Sequence, residues 1–162
     1  MPPLGSYTIV DLTINGDPVH VSGTPDGMYD LIFYESEVGP GSIYLDHIII
    51  GISKVDDGSY YEVFNWSDND RDENTNVDFN TLPPDTSPSC TEPECDNRVI
   101  PTTELHTDTT NPSISTGILI DVDNAPGKPP EGDYRYVVII SPPSGDFDDA
   151  QVDAIVVEEV SP

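Results

Sequence analysis

Proline and glycine punctuate this 162-residue chain from end to end, 17 of one and 12 of the other, and leave little room for a long helix. The residues between them point the same way. Alanine occurs only at Ala125, Ala150 and Ala154 and lysine only at Lys54 and Lys128, while Val, Ile, Thr and Tyr are common. Strong helix formers are therefore scarce, and side chains that pack well on a pleated surface are plentiful. Apolar residues make up 35% of the chain, a fraction that would lean towards disorder if they were scattered. They are gathered instead into blocks such as Leu31 to Tyr34, Ile48 to Ile52, Ile118 to Ile120 and Val137 to Ile140. Blocks of this kind can close one core, and the length suits a single domain over residues 1–162.

Strand candidates follow from alternation and turn signals. They are Tyr7 to Ile14, Val19 to Val21, Met28 to Glu35, Ile43 to Val55, Tyr60 to Trp66, Ser113 to Val122, Tyr134 to Ser141 and Gln151 to Val160. Ile43 to Val55 reads as the longest strand, and Asp56-Asp57-Gly58-Ser59 as the turn that brings Tyr60 to Trp66 back against it. Residues 67–101 form a long polar insertion, acidic in its first half and rich in Pro, Ser and Thr in its second. Insertions of this length are usually functional, stapled or disordered. Together these signals predict an all-β fold, an antiparallel β-sandwich of jelly-roll type with long acidic and Pro-rich loops.

Thirty-one acids against five bases give a formal charge of −26. Such a surface repels nucleic acid and anionic membrane. Its self-repulsion costs stability unless counter-ions bind, so divalent cations are an expected remedy; solubility or a salty habitat is the plainer explanation. Cys90 and Cys95, close together in the Pro-rich segment, would pair in an exported protein and are too few for a structural zinc site. No apolar run approaches the ~18 residues of a membrane-crossing helix, and no signal peptide is present, so an exported domain would belong to a larger parent protein or have lost its signal.

The acidic segment Asp68 to Asp78 places an oxygen side chain at every second position: Asp68, Asp70, Asp72, Asn74, Asn76 and Asp78. Calcium is a hard ion that takes six to eight oxygens, which closely spaced Asp and Asn can supply. The segment begins like an EF-hand loop and fails as one, with Glu73 at the glycine position and Phe79 at the final glutamate position. The expectation is a β-loop calcium site, against the ordinary alternative of a solvated acidic loop. Asp30 and Glu35 flank an apolar strand, Asp46 lies within the next, Asp121 and Asp123 end another, and Asp146, Asp148, Asp149 and Asp153 form a further group. Acids in such places are costly unless paired or metal-bound, so Asp30, Glu35, Asp121, Asp123, Asp149 and Asp153 join the candidate ligands. His20, His47 and His106 belong to no nucleophile or zinc motif, and the chain is not expected to be an enzyme. Among the aromatic residues, Trp66, Tyr44 and Tyr60 are the candidates for stacking on a sugar, with core packing as the commoner fate of Trp and Tyr on strands.

The order of several short motifs carries a resemblance. Asp30-Leu31-Ile32-Phe33-Tyr34-Glu35, the hairpin through Asp57-Gly58-Ser59-Tyr60, Tyr134-Arg135-Tyr136 and the closing Val152-Asp153-Ala154-Ile155 resemble an accessory domain of bacterial secreted and cell-surface proteins of Chloroflexi type. The resemblance spans roughly Tyr29 to Val156. It implies a galactose-binding-like jelly roll within a longer chain and no defined activity. The segment with Cys90 and Cys95 departs from the pattern. The resulting expectation is a non-catalytic, extracellular, calcium-stabilised module for glycan binding or adhesion, its partner a glycan or a neighbouring surface protein. A structural unit of a surface layer or filament is the main alternative, and a polysaccharide hydrolase is another.

Overall fold

The computed structural model describes residues 6–14, 16–37, 40–45, 47–66, 72–77, 98–141 and 152–162. Over these residues the fold is all-β, with no helix of seven residues or more. Eleven strands follow one another in this described part: β1 (Ser6–Asp11), β2 (Val19–Val21), β3 (Tyr29–Glu35), β4 (Ser42–Leu45), β5 (Ile49–Ser53), β6 (Tyr61–Asn65), β7 (Arg98–Pro101), β8 (Gly117–Ile120), β9 (Gly132–Tyr134), β10 (Tyr136–Ser141) and β11 (Val152–Val160). One layer has the order β1-β10-β5-β6 and the other β11-β3-β8, with the ribbons β2-β9 and β4-β7 beside them. Every ladder is antiparallel. The main core lies between the layers, where Leu31 and Phe33 of β3 and Ile118 and Ile120 of β8 meet Ile50 and Ile52 of β5, Val63 of β6, and Val137 and Ile139 of β10.

Three boundaries differ from the pattern reading. The first strand stops at Asp11 because that carboxylate accepts from the Thr13 amide (3.1 Å) and hydroxyl (2.8 Å), which turns Leu12–Ile14 into a 3-10 helix and buries Leu12. The segment Ile43 to Val55 is two strands rather than one, for β4 pairs with β7 while β5 pairs with β10 and β6. β7 itself lies at the end of the Pro-rich stretch, where Ile100 is fully buried. The β5–β6 hairpin forms as expected, with a bulge between Ile50 and Gly51. A Cβ on Gly51 would overlap the Tyr60 ring, so glycine here is what lets that ring lie across the strand.

Candidate functional site

Three of the expected ligands meet at one rim of the sandwich. Asp30 lies near the start of β3, and Asp121 and Asp123 follow β8, the antiparallel neighbour of β3, so the ladder itself brings them together. Asp30 Oδ2 accepts from the Val122 amide at 3.0 Å. Asp121 is 7% exposed and accepts from the Asn124 amide at 3.0 Å. Asp123 accepts from the amides of Ser22 (2.7 Å) and Gly23 (3.2 Å) and from the Ser22 hydroxyl (2.7 Å), tying the turn after β2 to the loop after β8. Asp26, whose Oδ1 accepts from the Met28 amide at 2.8 Å, completes the group. It was missed in the sequence, where Pro25-Asp26-Gly27 reads only as a turn.

Asp26, Asp30, Asp123 and Glu159 line a cleft of about 210 Å³ together with His20, Ser22 and Val157. Among the described residues no Lys or Arg forms an ion pair with Asp30, Asp121 or Asp123; Arg135 is committed to Asp11, and His20 to Asp133. Burial pushes the Asp30 carboxyl up to about 7, with the negative charges of Asp123, Asp121 and Asp26 adding to the shift and the Val122 amide opposing it. Burial also raises Asp121. His20 is raised by its 2.7 Å contact with Asp133. The rim can thus attract a cation or hold a proton near neutral pH. It is not a preformed cage: among the described residues, no three His, Cys, Asp or Glu side chains are grouped so as to hold a metal ion.

The described part of the acidic loop is arranged differently. Asp72, Asn74 and Asn76 do alternate as the sequence suggests, and their side chains hydrogen-bond to strand backbone. Asp72 Oδ2 accepts from the Asn65 amide at 2.5 Å. Asn74 Nδ2 donates to the carbonyls of Val63 (2.9 Å) and Asp121 (2.8 Å), one from each side of the sandwich. Asn76 Oδ1 accepts from the Leu119 amide at 2.7 Å, and its Nδ2 donates to the Gly117 carbonyl at 3.4 Å. With the backbone bonds Asn76 N to Leu119 O and Asp121 N to Asn74 O, the loop seals the gap between the edge strands β6 and β8. Its alternation serves the period of a strand edge.

Glu35 and Asp153 sit at the other end of β3. Val152 is paired with Glu35, and the Ser36 hydroxyl donates to Asp153 at 3.0 Å. Five steps of extended strand separate Asp30 from Glu35, roughly 17 Å along β3, so they do not share a site. Asp46, Asp68, Asp70, Asp78, Asp146, Asp148, Asp149, Cys90 and Cys95 lie outside the described residues.

Comparison of the chain with family models, with curated proteins and with solved structures finds no match.

The aromatic candidates separate by burial. Trp66 is fully buried and stacks on Phe64 at 6.3 Å between centroids, so it belongs to the core and cannot offer a face to a sugar. It follows Asn65 directly, whose amide donates to Asp72. Tyr44 lies in β4, opposite Val99 of β7. Tyr60 is half-buried, and with the exposed Tyr61, Lys54, Val55 and Ser59 and the buried Ser53 it lines a shallow groove of about 450 Å³. Tyr61 was not singled out in the sequence, since its alternation with Glu62 gave no sign of which face is outward.

Proposed function

We propose that this domain is a non-catalytic binding module of the extracellular adhesion type, whose acidic rim takes calcium. The observation that carries the reading is the cleft lined by Asp26, Asp30, Asp123 and Glu159, with Asp121 close by and, among the described residues, no basic partner for Asp30. Calcium tolerates irregular sites and completes its shell with water, so carboxylates spread around an open cleft suit it better than magnesium or zinc. The order of motifs that resembles accessory domains of secreted bacterial proteins agrees with a module that binds and does not turn over substrate. A glycan would rest on Tyr60 and Tyr61, whose groove also holds Lys54, one of only five bases in the chain.

The test is thermal unfolding at low ionic strength in calcium and in EGTA. A ligand at one hundred times its Kd adds about 2.7 kcal/mol, which for a domain of this size raises Tm by about 5–10 °C. The rise should shrink in Asp30→Asn, which keeps an oxygen to accept from Val122. A melting curve indifferent to calcium removes the reading.

A further inference from the structure

The two lateral sides of the sandwich are treated in opposite ways. On one side, the outward groups of β8 at Gly117 and Leu119, and those of Asp121 just after it, are all bonded, to His106 and to Asn74 and Asn76, while those of β6 bond Asp72, Asn74 and Gly127. On the other side the edges are β1 and β11. Among the described residues no backbone group bonds the outer edge of either. Between them runs a groove of about 340 Å³ lined by Val10, Leu12, Ile155, Val156 and Val157 together with Asp11 and Asp17. Val10, Ile155 and Val157 pack against the main core from this opening.

We propose that the β1–β11 groove receives an extended segment of another protein, an apolar strand with interspersed Lys or Arg, which pairs with β11. Two edges that no described residue pairs with, and apolar side chains between them, offer what strand addition uses, main-chain hydrogen bonds and pockets for alternate side chains. Charge selects the occupant. β11 carries Asp153, Glu158 and Glu159, and the whole chain is at −26, so a second copy is repelled and a basic strand is attracted. The nine residues of β11 give a partner about 30 Å of edge to follow.

The probe is a blocked nine-residue peptide of alternating valine and lysine, with two controls: valine alternating with glutamate, and the basic peptide interrupted by a central proline. Binding is read by anisotropy at moderate salt, and its place by amide hydrogen exchange. The expected result is saturable binding of the basic peptide alone, with slowed exchange in residues 6–11 and 152–160. It should weaken at least tenfold in Ile155→Lys and, as a milder variant that keeps the fold, measurably in Ile155→Ala. Equal binding of the proline peptide means charge attraction only and overturns the proposal. So do protection elsewhere, insensitivity to both Ile155 variants, absence of binding, or self-association of the chain through β11. The measurement is repeated in EGTA, where binding should persist; a failed calcium response and a failed peptide response are then separate results.

Discussion

At the scale of single residues, Asp30 sets a pH dependence whose sign runs against the usual carboxylate. Its folded pKa of about 7 lies above the ordinary value of 3.8, so the folded state holds the proton more tightly. The corresponding stability is present in full below about pH 4 and is lost as pH rises through 7. After discounting for its partial exposure, the loss amounts to about 1–2 kcal/mol. Denaturant unfolding between pH 4.5 and 7.5 should show this decline, and Asp30→Asn should flatten it. Calcium should do the same in the wild type, because a bound cation stabilises the ionised form. A decline that is equally steep in Asp30→Asn would move the effect to other acids. Asp11 is the opposite case, held well below the carboxylate range by the two-pronged Arg135 contact at 3.0 and 2.6 Å.

Among the elements, the loop 72–77 hangs on one buried side chain, Asn74. Asn74 is 3% exposed and satisfies two carbonyls that belong to different layers. Asn74→Ala leaves both without a partner and should cost about 2–4 kcal/mol in denaturant unfolding, with Asn74→Asp little better because it too lacks the donors. A loss under about 0.5 kcal/mol would mean that water replaces the amide freely. The elements themselves were largely legible in the chain. β3 and β10 follow from their continuous apolar blocks, β11 from its strand-forming residues, and the β5–β6 hairpin from the Asp57-Gly58 turn. The break between β4 and β5 was not, since Ile43, Leu45, Ile48 and Ile50 are all buried and give one unbroken apolar pattern across two strands with different partners. β7 was hidden because it offers only Val99 and Ile100 between polar residues and Pro101. For the site, residue type pointed to Asp30, Asp121 and Asp123, but their meeting depends on the β3–β8 register. For Asp72, Asn74 and Asn76, a strand edge and a row of oxygen donors share a period of two, so their bonding to strand backbone could not be told from ligation in the sequence.

For the whole molecule, charge is the dominant constraint. With 31 acids and five bases, the folded state concentrates repulsion that the unfolded chain relieves. Raising sodium chloride from 20 to 500 mM should therefore raise Tm by several degrees even without divalent ions, as the Debye length falls from about 20 to about 4 Å. A Tm unaffected by salt would show that the acids are spaced beyond mutual reach.

The strand order also dictates when this molecule can come into being. The centre of one layer is β10 and the flank of the other is β11, both from the last third of the chain, while their neighbours β1, β3 and β5 come from the first third. A nascent chain leaving the ribosome thus has β1, β3 and β5 long before β10 and β11, and these strands keep unpaired edges until residues 136–160 emerge. The acids that would keep neighbouring nascent chains apart through that interval are Asp11, Asp30 and Glu35 on these strands and the more numerous ones in the segments between and after them.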